Sequence, residues 1–121
     1  MYGKELTLDL YDCDIDRFNR ENLGEFFDGL VKLLDMEQGP RHFWDYDGAE
    51  NEKAVAPDHL CGTTAVQFIY TSNITVHTLD KLRKVYLNIF SCKDFDVAEA
   101  TRWCVRFFNA GHVVARDFER V

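Results

Sequence analysis

From Glu5 to Tyr11 the apolar Leu6, Leu8 and Leu10 alternate with Glu5, Thr7 and Asp9, which is the period of a strand with one buried face. The period then lengthens. Leu23, Phe26, Phe27, Leu30, Val31 and Leu34 recur at helical spacing, with Asn22 and Glu25 as a capping box at the start and Gly39-Pro40 as the stop. Arg41 to Tyr46 reads as a short aromatic strand, and the polar stretch from Asp47 to His59 as a mobile loop of the length that often carries function. Thr63 to Tyr70, Ile74 to His77 and Lys84 to Ser91 are rich in β-branched and aromatic residues, so three strands follow one another closely. Asp96 and Glu99 cap a second helix, with Val97, Ala100, Cys104 and Phe107 along one face, and Gly111 ends it. A last strand runs from His112 to Phe118.

The resulting order, β-α-β, β-β-β, α-β, predicts an α+β two-layer sandwich with helices on one face of an antiparallel sheet. A chain of 121 residues can build one such core, so a single domain over 1–121 is expected.

Hydrophobic residues make up 46% of the chain, yet no apolar run approaches the roughly 20 residues that span a bilayer. The opening MYGKELTLDL has no secretory pattern, so a soluble, cytoplasmic protein is expected. A formal charge of −7 disfavours nucleic acid and anionic membrane as partners. Cys13, Cys61, Cys92 and Cys104 form no CxxC pair and no zinc-like spacing with the histidines, which predicts free thiols and no metal.

The chemistry concentrates in TSNITVHTLDKLRKVYLNIFSC, residues 71–92. A peptide bond before serine rearranges when the hydroxyl attacks the preceding carbonyl, and elimination from the resulting ester leaves a pyruvoyl group. That route needs a strained or tightly held turn, a donor for the oxyanion and a base near the serine Cα proton. Ser72, Thr64 and His77 are the candidates. Alternation sets Asn73, Thr75 and His77 on one face of their strand, and Tyr86, Asn88, Phe90 and Cys92 on one side of theirs. A pyruvoyl carbonyl forms a Schiff base with a substrate amine and draws electrons as carbon dioxide leaves, after which the carbanion needs a proton. Cys92 suits that step, because a thiol titrates within tuning range of neutral pH. The aromatic run His42 to Tyr46 lines a pocket or covers the core, while Cys13, Cys61 and Cys104 read as structural thiols.

TSNITVHTLDK and NIFSCK resemble the motifs ESHxxxHTWPE and DxFTCG of the short prokaryotic S-adenosylmethionine decarboxylases, and GKELTLDLYDCD resembles that family's opening strand. The resemblance implies cleavage between Thr71 and Ser72, a pyruvoyl cofactor derived from Ser72, His77 as processing base, Cys92 as proton donor and Thr64 as the hydroxyl that assists cleavage. It also implies a homodimer with its site near the subunit interface. Thr71 stands where the family has glutamate, Asn73 where it has histidine, and Leu79-Asp80-Lys81 where Trp-Pro-Glu contributes to ribose binding. The stacking aromatic would fall near Asp58 or His59. Asp58, Asp80 and Asn73 are therefore the candidate substrate-binding residues. With Asp45, the two aspartates fit a basic amino acid, arginine or ornithine, as the alternative substrate. A member that keeps the fold, never cleaves and regulates an active subunit is the other alternative.

Overall fold

The computed structural model describes residues 2–121; Met1, the first residue of the opening segment read above for a leader, lies outside them. Strands β1 (Gly3–Tyr11), β2 (Gln38–Trp44), β3 (Gly62–Ile69), β4 (Ser72–Leu79), β5 (Lys84–Ser91) and β6 (His112–Arg120) form one sheet in the order β2-β3-β4-β5-β1-β6. Every pairing is antiparallel. Helices α1 (Arg20–Leu33) and α3 (Val97–Phe108) carry the buried residues that pack against it. The expected α+β two-layer sandwich is the architecture observed.

Alternation decides which residues enter the core. Leu6, Leu8, Leu10, Ala65, Ile74, Val76, Val85, Leu87 and Ile89 point inward and meet Leu23, Phe26, Phe27, Leu30, Ala100, Cys104 and Phe108 from the helices. Phe26 and Phe108 rings lie 4.9 Å apart, a tilted aromatic contact that locks α1 to α3. Gly29 makes the same crossing possible, since a Cβ there would sit 2.3 Å from the Trp103 ring. Among the described residues neither α1 nor α3 packs on the opposite face. Its β3 and β5 positions include the exposed Phe68 and Tyr86, and Phe118 of β6, paired with Glu5, shares that face.

Several boundaries differ from the sequence reading. The cap of α1 is Asn19, whose side chain accepts the Asn22 amide at 2.8 Å, so Asn22 is the residue capped. Helix α1 ends at Leu33 and the chain reverses at Asp35, with φ of 54°; Gly39-Pro40 lies inside β2, an edge strand that tolerates proline. The left-handed Asn109, φ 49°, terminates α3 ahead of Gly111. The stretch expected as loop contains a short helix, α2 (Glu50–Val55).

Candidate functional site

The Thr71-Ser72 bond lies in the two-residue turn, Tyr70-Thr71, that joins β3 to β4. Two-residue hairpin loops favour central residues with positive φ, so that turn and strand twist agree. Neither Tyr70 nor Thr71 takes that conformation; Ser72 does, at φ 155°. This region is rarely occupied by a side-chain-bearing residue and costs of order 1–3 kcal/mol. The strained residue is thus the one that follows the candidate scissile bond.

Strand β5 holds this turn from the side. Ser72 pairs with Ser91, and beyond that pair the Cys92 amide donates to the Thr71 carbonyl at 2.9 Å. Thr71 Oγ1 and Ser91 Oγ are 2.8 Å apart, and Ser91 Oγ also accepts the Lys93 amide at 3.0 Å. Asn73 Nδ2 comes within 3.5 Å of Ser72 Oγ. Cys92 is exposed, unlike Cys13, Cys61 and Cys104, and no thiol is in a disulfide. Burial pushes the Cys13 thiol up to about 11 and raises Cys104 as well, so both stay protonated and inert at neutral pH.

Thr64 and His77 form a second centre. They are cross-strand partners with Thr64 Oγ1 3.0 Å from His77 Nδ1. His77 is five positions beyond Ser72 on β4, about 17 Å at roughly 3.3 Å per residue, and on the opposite face by alternation. One chain therefore brings the Thr71-Ser72 backbone to the Cys92 backbone, and the Thr64 side chain to His77, but not the two pairs to each other.

Beside the Thr64–His77 pair is a cavity of about 450 Å³ lined by residues that include Trp44, Tyr46, Glu52, His59 and Leu79. Trp44 pairs across the strands with Thr64 and is 84% exposed, so a broad aromatic face stands free next to the histidine. The aromatic run thus divides: Trp44 and Tyr46 line the cavity, and Phe43 packs against the core. Helix α2 walls the cavity through Glu52 and is tied down by the β4–β5 hairpin. Lys53 pairs with Asp80 at 2.7 Å, and Lys81 Nζ donates to the carbonyls of Ala54 and Ala56.

These contacts change the candidate substrate residues. Asp80 is occupied by Lys53 and Thr78, and Asp45 by the Arg20 guanidinium at 2.7 Å, whose hydrogen bond holds its carboxyl below the usual range. Asp58 is exposed and is not among the cavity's lining residues, whereas His59 is. Asn73 lies at the other centre, beside Ser72. Sequence reasoning missed the Cys92 amide and Ser91. Ser91 carried a usable signal: a serine at an inward-facing position where β5 ends. Among the described residues no group of three or more acidic, cysteine or histidine side chains is arranged to hold a metal.

The family model described as S-adenosylmethionine decarboxylase matches residues 4–121. The chain belongs to that family. The S-adenosylmethionine decarboxylase proenzyme of Aquifex aeolicus is 25% identical over 93 residues, which cover 76% of this chain. The match spans 60% of the length of that relative. The crystal structure of the adenosylmethionine decarboxylase from the same organism shares the fold, with a TM-score of 0.77 at 22% identity over 98% of this chain and 90% of that one. Within this family fold, the Ser72 turn and the Thr64–His77 pair hold the candidate processing residues. No helix among the described residues is long and apolar enough to cross a membrane.

Proposed function

We propose that this chain is a self-processing, pyruvoyl-dependent decarboxylase that acts on S-adenosylmethionine in polyamine biosynthesis, as a cytoplasmic homodimer. The observation that carries this reading is the Thr71-Ser72 peptide itself: a strained serine follows a carbonyl already held by a backbone N–H, with a free thiol on the next strand. These residues fit a pyruvoyl group.

Ser72 Oγ attacks the Thr71 carbonyl carbon, and breakage of the C–N bond gives an ester and a free Ser72 amine. Removal of the Ser72 Cα proton expels the Thr71 carboxylate. The dehydroalanine left behind tautomerises to an imine, and water releases ammonia to leave the pyruvoyl group. Once formed, that group supplies an electron sink for decarboxylation. Cys92 then delivers a proton to substrate carbon, and His77, oriented by Thr64, is the base for the processing elimination.

Because His77 is about 17 Å from Ser72 within one chain, the base comes from a second copy. The sheet face opposite α1 and α3 bears His77, Thr64 and the exposed Phe68, Tyr86 and Phe118. Two such faces packed about a two-fold axis lie about 10 Å apart, so one chain's Thr64–His77 pair would approach the other's Thr71-Ser72 bond around the sheet end, where the Tyr70-Thr71 turn presents it. Substrate then enters near Trp44 and His59 of the chain that donates His77. A basic amino acid loses support here, since Asp80 and Asp45 already hold Lys53 and Arg20.

Intact mass under denaturing conditions tests the reading. Two fragments divided after Thr71, the second lacking an amine, are expected, with carbon dioxide released from S-adenosylmethionine and not from arginine or ornithine. A single full-mass species after prolonged incubation refutes it.

A further inference from the structure

We propose that Ser91 is a positioning residue for self-cleavage, whose hydroxyl fixes the Tyr70-Thr71 turn so that the Cys92 backbone N–H becomes the oxyanion donor. The inference rests on the self-processing reading and adds to it a residue pair that reading does not use, Thr71 with Ser91.

Ser91 is fully buried at the inward-facing end of β5. A buried hydroxyl is costly unless its hydrogen bonds are met. Both bonds are met here: Ser91 Oγ accepts the Lys93 amide at 3.0 Å and is free to donate to Thr71 Oγ1, in the turn, at 2.8 Å. Thr71 is therefore held at two points by successive residues, its hydroxyl by Ser91 and its carbonyl by the Cys92 amide at 2.9 Å. A further backbone tether on the turn is Tyr70 N–H to the Glu37 carbonyl, at 3.1 Å.

When Ser72 Oγ bonds to the Thr71 carbonyl carbon, the C=O electron pair moves to oxygen. The resulting oxyanion faces the Cys92 N–H. Its collapse breaks the Thr71–Ser72 C–N bond, and the nitrogen takes the proton the hydroxyl gave up. A donor preorganised at the oxygen stabilises this charge without reorganisation, and small misplacement of such a donor is costly in rate. Ser91 touches no reacting atom; it acts through Thr71 and Cys92.

The test follows cleavage of freshly translated full-length chain by intact mass. Ser91→Ala slows cleavage about 10- to 100-fold, and Ser91→Thr restores it. Thr71→Val, which removes the other hydroxyl at the exposed turn, slows cleavage to a similar degree, and the double variant is no slower than the slower single one. Added hydroxylamine, which cuts esters, leaves the slow cleavage of Ser91→Ala unaccelerated because the slowed step precedes the ester. Ser91→Ala or Thr71→Val cleaving at the native rate overturns the proposal, as does hydroxylamine rescue of Ser91→Ala. If Ser91→Ala fails to melt cooperatively, Thr71→Val decides alone. Native chain that never cleaves overturns the functional reading itself, which is a separate result.

Discussion

Replacing Ser72 by glycine and by alanine separates strain at the scissile bond from the chemistry of its hydroxyl. Both variants lack the nucleophile and stay uncleaved, and both lose the 3.5 Å contact with Asn73, so their difference isolates the backbone. Alanine keeps a Cβ at φ 155° and retains the strain, of order 1–3 kcal/mol. Glycine relieves it, but its unfolded state is more disordered, which offsets about 0.5–1 kcal/mol. Ser72→Gly is thus expected to be more stable than Ser72→Ala, by up to about 2.5 kcal/mol and centrally about 1 kcal/mol. In a domain of this size that is a rise in Tm of up to about 10 °C. Paired urea titrations and thermal melts, monitored by far-UV circular dichroism, provide the measurement. Equal stability, or a more stable alanine variant, would refute ground-state strain at the processing serine.

Mixing Ser72→Ala with His77→Ala chains, each inert alone, should restore cleavage of the His77→Ala chains, because each mixed dimer rebuilds one complete centre; no cleavage after subunit exchange argues against a composite site. Gly29→Val should destabilise by about 1–3 kcal/mol through overpacking against the Trp103 ring, since valine gains little helix propensity over glycine to offset it, and an unchanged Tm would contradict the α1–α3 crossing. Hydrogen bonds from Arg20 to Asp45, and from Arg41 and Gln38 to Asp28, depress both carboxyls below the ordinary 3.8. Their contribution is therefore complete above that pH and lost as pH falls through the lower folded values, so Asp45→Asn should flatten the acid limb of the stability curve, and a limb unchanged from the native protein would refute the assignment.

Local patterning carried most of the fold. The Leu6-Leu8-Leu10 alternation, the α1 stripe from Leu23 to Leu34 and the Asp96 cap depend on neighbours one to four residues away, so they were legible without coordinates. Boundaries were less so: Asn19 and Asn22 are both plausible caps, and backbone φ decides between them. The stretch from Asp47 to His59 read as loop because α2 buries no residue and has no side-chain cap; it is held by Lys53–Asp80 and Lys81, contacts more than 20 residues apart in sequence.

From the sequence came the candidate residues Ser72, His77, Cys92 and Thr64, the parity of each strand, and the resemblance to the decarboxylase family. Tertiary structure alone decided which of them meet. Strand pairing sets Thr71 against Ser91 and Cys92, and Thr64 against His77, while the period of two carries His77 to the opposite face from Ser72. Spacing along a chain fixes distance only within an element. Register across the sheet fixes it between elements, and that register is what separates the processing serine from its proposed base.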